Sequence, residues 1–333
     1  MSKGYYDRQR KKHITIVVIA AAFCLLLFLV SYVVHEKQED FKSGYGTIED
    51  INPDQDEIVD EQEAEEVQPL RCLVIDVGDA LSVLIDYGDK EILYDCGYAE
   101  NGKKVSKAIS PYVNGRIDYL ILSHSHADHV GGAVKVLEDY EVDTAIVSGE
   151  KKGTSKEFDD AMAALDREGC KVMNDADMSF DLGDDAVLDI IETYDPGDTD
   201  VGDNPNNLSV VAHFSRGQDS ILLTGDSETL SERALKGKIS NVSVFVAGHH
   251  MSKTANNILL LREWAPSCII ASCAGPKESE YGFPHKQAVA RCMTVTDKIY
   301  ATYISGDILV ELDGDGNINT NCGQLPTTKV AGL

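Results

Sequence analysis

Residues 119–132 read YLILSHSHADHVGG, and the rest of the chain is best understood from this stretch outward. Tyr119 to Ser123 is a short apolar run of strand type, and a helix-like stretch follows from about residue 129. Between them stand His124, His126, Asp128 and His129. Three imidazoles and a carboxylate within six residues, at a strand-to-helix turn, have the spacing of metal ligands. In an extended turn the side chains at i and i+2 project to the same side, so His124 and His126 can hold one ion together. Asp128 and His129, rotated away as the helix begins, can face a second ion. Packing three basic rings together does little for stability unless something binds them. Gly131 and Gly132 let the new helix approach the sheet closely.

The same alternation continues on both sides. Runs rich in Val, Ile, Leu and Tyr predict strands at 72–76, 81–86, 91–95, 119–123, 144–148, 187–191, 208–214, 220–224, 243–246, 268–272, 299–303 and 307–312. Helical stretches are predicted at roughly 103–113, 129–139, 155–168, 227–237, 255–265 and 285–294. About a dozen strands with interspersed helices mean a layered α/β or α+β fold rather than a bundle or an all-β sandwich. Two metals need more ligands than one hexapeptide supplies, and the predicted strand ends offer them. Asp226 ends one strand in SILLTGDSE, His249 and His250 end another in SVFVAGHHMSKT, and Asp95 and Asp76 end two more. Each alone is an ordinary turn residue. Together with the hexapeptide they gather where layered folds build sites.

Composition limits what such a site can serve. The chain has 333 residues, 26% charged and 43% apolar, enough for one large domain with a core. Its formal charge of −26 is uneven: residues 1–13 carry +4, residues 36–66 carry −11, and residues 67–333 hold −19. A domain this acidic repels phosphate backbones over most of its surface, which excludes a basic nucleic-acid-coating protein. Residues 14–34, ITIVVIAAAFCLLLFLVSYVV, run 21 residues without a charge. As a helix they would span roughly 31 Å, the thickness of a hydrocarbon core. The run is longer than a signal peptide's apolar region, and no small-residue cleavage pattern follows it. The expectation is a single-span cell-membrane anchor. The basic head 1–13 stays cytoplasmic, residues 35–68 form an acidic disordered linker, and the domain 69–333 faces outward.

Cys24 lies in the span, and the other seven cysteines form no CxxC or finger spacing. Seven is odd, so at least one is unpaired. Buried small hydrophobes are the main reading, with one disulfide left open.

Taken together, the motifs resemble the metallo-β-lactamase superfamily, and within it the metallohydrolase domain of ComEC-type competence proteins and their stand-alone relatives. The resemblance is carried by DVGDALSVLID (76–86), LYDCG (93–97), SHSHADHVGG (123–132), NNLSVV (206–211), LLTGDSE (222–228), GHHMSKT (248–254) and YGFPHKQAV (281–289). It runs in order across residues 69–315. It implies a four-layer αββα sandwich, two mixed sheets face to face with helices outside, and a dinuclear site on one edge.

Residue by residue, the resemblance assigns one ion to His124 and His126 and the other to Asp128, His129 and His249, with Asp226 bridging. The third histidine that many members supply to the first ion is missing here, where Asn204, Asn206 and Asn207 stand instead. That site is short of a ligand, or is completed by an asparagine oxygen, which favours Mn²⁺ over Zn²⁺. Met251 and Phe283 replace a glycine and a histidine usual in the branch, and Met251 is expected to narrow the approach. His250 and His285 are candidate proton donors beside Asp128 and Asp226. Asn206, Asn207, Ser252 and Lys253 are candidate substrate contacts.

The expected function is phosphodiester hydrolysis by a hydroxide bridging two divalent cations. Nucleic acid, a nucleotide or a wall-polymer ester would be the substrate. The acidic balance predicts weak, salt-sensitive DNA binding and favours the smaller esters. The same core would also suit thioester or lactone hydrolysis, and loss of the third histidine would suit a catalytically weak binding module. If the protein serves DNA uptake, a separate membrane channel protein must provide the pore.

Overall fold

The computed structural model describes residues 69–150, 154–174, 176–194 and 204–322. The expected head 1–13, span 14–34 and linker 35–68 lie outside the described residues. No helix among the described residues is long and apolar enough to cross a membrane.

The chain first lays down β1 (Leu70–Val74), β2 (Val83–Tyr87), β3 (Lys90–Tyr94), β4 (Arg116–Leu122), β5 (Glu141–Val147) and β6 (Lys171–Asn174). It then crosses to β7 (Met178–Gly183), β8 (Ala186–Ile191), β9 (Val211–Arg216), β10 (Asp219–Leu223), β11 (Val244–Val246), β12 (Cys268–Ala271) and β13 (Ile299–Ala301). Finally β14 (Ile308–Leu312) and β15 (Ile318–Thr320) return to the first sheet. The spatial orders are β15-β14-β1-β2-β3-β4-β5-β6 and β13-β12-β11-β10-β9-β8-β7. Both sheets are mixed. From β3 to β6 and from β10 to β13 neighbours pair parallel, and the remaining pairs are antiparallel.

Side-chain alternation sorts the strands into layers. Ile92 and Tyr94 of β3 and Ile121 of β4 face a core shared with Ile221 and Leu223 of β10 and Val244 and Val246 of β11. Their neighbours Leu93, Leu120 and Leu122 face the other way, onto helices Gly102–Ile109, Ala133–Asp139 and Lys156–Glu168. On the far side Leu222, Phe245 and Ile269 meet Leu260, Leu261 and Trp264 of helix Ile258–Trp264. Each such side chain, fully buried, contributes about 1.5–3 kcal/mol, and the period of two makes one strand serve two cores. The result is helices, sheet, sheet, helices. Tyr94 ties the sheets together at the centre, its hydroxyl donating to the Val210 carbonyl at 2.5 Å.

The twelve predicted strands and six predicted helical stretches all appear, within a few residues of their expected ends. Three strands escape the sequence pattern: β6, β7 and β15. Their residues are mostly exposed or half-buried, so they lack the apolar run that marks a buried strand. All seven cysteines of the domain are free thiols, five of them buried, so no disulfide forms among the described residues.

Candidate metal centre

Parallel strands end on the same edge of a sheet, and loops leaving that edge are the usual place for a site. Here the loops after β3, β4, β10, β11 and β12 meet. Asp95, directly after β3, takes a left-handed φ of 57°. Its Oδ1 accepts the Ser123 N–H at 2.7 Å, and its Oδ2 accepts the Ser123 hydroxyl at 2.7 Å and lies 2.7 Å from His129 Nδ1. The His129 ring is thereby fixed with Nδ1–H on Asp95 and Nε2 turned inward. That Nε2 is 3.2 Å from Asp226 Oδ1 and 3.4 Å from Asp128 Oδ2.

The hexapeptide forms the turn from β4 into the next helix. His126 is extended, with φ −68° and ψ 146°, and the helix Ala127–Val130 starts directly after it. His124 is fully buried, and its Nε2 comes within 3.0 Å of His126 Nδ1. A Cβ on Gly132 would land on the Cys96 carbonyl oxygen, so only glycine lets this helix seat against the loop that carries Asp95. Opposite, Gly225 has φ 51° and is crowded by Ser123 and Ser209. This close approach brings Asp226 in, and the Asp226 N–H donates to Ser209 Oγ at 3.0 Å.

The ligating atoms fall into two groups, each with all members within 4.8 Å of one another: Asp128, His129, Asp226 and His250, and His124, His126 and Asp226. Asp226 belongs to both. Charge sorts the groups. Burial opposes a proton on His129 and His250, but the carboxylates of Asp226 and Asp128 outweigh it and raise both. Burial likewise opposes ionisation of Asp128 and Asp226, yet His129 and His250 hold both carboxyls below the usual range. Burial lowers His124 and His126, which favours the neutral imidazole that can ligate a metal.

This donor set fits a pair of divalent cations. His129 Nε2 and Asp226 Oδ1 are buried and unsatisfied by any hydrogen bond among the described residues, an arrangement a cation between them would resolve.

A family description, the metallo-β-lactamase superfamily, matches residues 75–266. The chain belongs to this superfamily. Recombination protein 2 of Haemophilus influenzae is 27% identical over 248 residues, 72% of this chain and 29% of that protein. Competence protein ComA of Neisseria gonorrhoeae is 27% identical over 250 residues, 73% of this chain and 32% of that one. The ComEC-type resemblance read from the motifs therefore holds, and the chain spans about a third of the length of these relatives. Among solved structures, CmlA, a diiron β-hydroxylase from Streptomyces venezuelae, is 14% identical, with 73% of this chain and 54% of that one covered at a TM-score of 0.48.

In this member of the superfamily the two adjacent histidines exchange the places expected of them. His250, not His249, joins Asp128 and His129: its Nε2 lies 3.2 Å from Asp128 Oδ2 and 3.6 Å from Asp226 Oδ1. His249, His250 and Met251 all have φ between 51° and 63°. This left-handed run turns the His250 ring inward and leaves His249 at the rim. His249 Nε2 is still 3.6 Å from Asp226 Oδ2, while its Nδ1 faces Glu228 Oε1 at 3.3 Å. His250 Nδ1 donates to the Ser272 carbonyl at 3.1 Å, which leaves Nε2 as the atom turned to Asp128 and Asp226.

The remaining candidates divide. Asn207 Oδ1 accepts from Ser231 Oγ and is structural. Asn206 donates to Glu228 at 3.5 Å, and its Oδ1 is buried without a partner among the described residues, so it alone keeps an oxygen to offer. Ser252 is buried, with its hydroxyl shared with Thr254 at 3.1 Å. Lys253 is exposed, and its N–H donates to His285 Nδ1 at 3.0 Å. His285 lies further out against the Phe283 ring. Met251 is fully buried in the outer core and does not narrow the approach. Asp76 pairs with Lys104 away from both groups.

Sequence reasoning missed Glu228, whose carboxylate gathers His249, Thr254, Asn204 and Asn206. Its position two residues after Asp226 was the available signal.

Proposed function

We propose that the domain is a dinuclear metal-dependent phosphodiesterase, with Mn²⁺ or Zn²⁺ as the cations. The observation that carries this reading is Asp226, one carboxylate shared by two groups of nitrogen and oxygen donors. Two divalent cations, when bound there, supply acidification of a shared water from ~15.7 towards ~7 and offset the charge that builds on phosphorus.

The chain's own residues then have distinct tasks. Asp95 and Ser123 keep His129 oriented, and Ser209 positions Asp226. His249 is the proton donor to the leaving oxygen: it stands at the rim, half-open to solvent, and Glu228 orients its ring. This transfers to His249 the role expected of His250 or His285. Burial within the loops excludes bulk water from His124 and His129, which strengthens every charge interaction inside.

Residues 14–34 anchor the protein in the cell membrane in this reading, with the domain outside. Any role in DNA uptake calls for a separate membrane channel protein. Relatives named for recombination and competence, both dealings with DNA, favour a phosphodiester over a thioester or lactone in this reading. The test is turnover by the purified protein on an aryl phosphodiester, an aryl thioester and single-stranded DNA, with Mn²⁺ or Zn²⁺ added. Phosphodiester turnover that disappears together with bound metal in His126→Ala is the expected result. Full activity in metal-free His126→Ala, or turnover confined to the thioester, overturns the proposal.

A further inference from the structure

Ring contacts run outward from the metal centre to solvent. His129 lies 5.3 Å from His250, His250 lies 5.6 Å from Phe283, and Phe283 lies 5.4 Å from Tyr281, all between ring centroids. The angle between the last two planes is 25°, a stacked pair. Phe283 is buried, whereas Tyr281 is 63% exposed.

The loop that carries Tyr281 is built rather than slack. Ser279 Oγ accepts the N–H groups of both Tyr281 and Phe283, at 3.2 and 2.9 Å. Gly282 between them has φ 78°, a conformation that suits glycine and lets the two rings stack. Ser279 is in turn tied back to the Gly275 carbonyl at 2.8 Å. Tyr281 thus presents a flat aromatic face, held from behind, with little return to the core. In the neighbouring turns, Lys253 is exposed with its backbone N–H donating to His285 Nδ1 at 3.0 Å, and Lys286 is exposed at the start of the next helix. An open aromatic face at the end of a line of rings leading from the metal centre suits a planar base carried on a phosphate, the stacking found in single-strand binding grooves.

We propose that Tyr281, braced by Phe283, is a stacking plate for the nucleobase adjoining the scissile phosphodiester. The site thereby takes a nucleotide or short oligonucleotide over a base-free wall-polymer ester. This rests on the phosphodiesterase reading and adds substrate selection to it.

The test uses the metal-loaded protein and a hydrolysis-resistant short oligonucleotide carrying 2-aminopurine, compared with its abasic analogue. Binding should quench the fluorophore. Affinity for the base-bearing ligand should fall roughly ten- to hundred-fold in Tyr281→Ala and be restored in Tyr281→Trp. The loss for the abasic ligand should be at least about fivefold smaller, because only the stacking contribution is removed. Equal losses on the two ligands, or no loss on the base-bearing one, overturn the proposal. Quenching without phosphodiester turnover by wild type would leave the plate standing and remove the phosphodiesterase. Equal turnover of base-bearing and abasic substrates by both proteins would do the reverse.

Discussion

Asp95 is fully buried and spends both oxygens on Ser123 and His129 rather than on the centre of the site. A carboxylate behind a histidine ligand fixes its tautomer and raises its basicity. Asp95→Asn keeps the shape but removes the charge and offers one acceptor where two are used. Metal affinity should fall about 10–100-fold, read by competition with a chromophoric chelator; an unchanged affinity would show that His129 orients itself. The same residues predict how the metal-free protein responds to pH. His129 and His250 hold protons more tightly folded than unfolded, so their contribution is full below about pH 6.5 and lost as pH rises through their raised folded values. Asp128 and Asp226, held below the usual carboxylate range, contribute fully above about pH 4 and lose it in acid. Chelated protein should therefore lose Tm on the alkaline side, while metal-loaded protein should lose less there, because cations take over from the protons. Parallel alkaline slopes with and without chelator would contradict this.

At the scale of the element, the loop after β11 depends on a residue far from it in the chain. Glu232 is fully buried and accepts the N–H groups of Asn256 and Asn257, at 2.5 and 3.0 Å. Asn256 in turn pins Gly248 from both sides, accepting its N–H at 3.1 Å and donating to its carbonyl at 3.0 Å. Gly248 leads directly into His249 and His250. Burial pushes the Glu232 carboxyl up to about 7, against the pull of its two N–H partners. An acid with a raised folded value stabilises the fold fully below its unfolded pKa and loses that contribution up to the folded one. Wild type should lose about 3 kcal/mol between roughly pH 4.5 and 7, and Glu232→Gln should not, as seen in urea midpoints across that range. A shared slope would mean the carboxyl does not titrate there. None of this was legible beforehand, since Glu232 and Asn256 meet only in three dimensions. The hexapeptide turn was legible because its ligands lie within six residues and one strand end. The choice between His249 and His250 was not: they are neighbours of one type, and the left-handed backbone that separates them has no glycine at either position to announce it. β6, β7 and β15 were hidden for a different reason, being edge or near-edge strands with too little buried surface to leave an apolar pattern.

Across the whole molecule, charge and site pull in opposite directions. The proposed substrate is a phosphodiester, yet residues 67–333 carry −19, and two divalent cations would offset only a small part of it. Long-range repulsion acts on a substrate in proportion to its own charge, so it scarcely touches a dinucleotide and weighs heavily on a long strand. Salt shortens the reach of that repulsion, from roughly 30 Å at 0.01 M to roughly 8 Å at 0.15 M, whereas the direct contact proposed at the metals acts at shorter range. Raising salt over this range should therefore speed capture of long single-stranded DNA and leave capture of a dinucleotide nearly flat. A basic nucleic-acid binder behaves oppositely, since salt weakens the counterion release that drives it. The measurement is kcat/KM for substrates of two and about thirty nucleotides at fixed free metal. A long-strand value that falls steeply with salt would mean that a local cationic track, not the net charge, governs approach, and the exposed Lys253 and Lys286 would then be the first residues to neutralise.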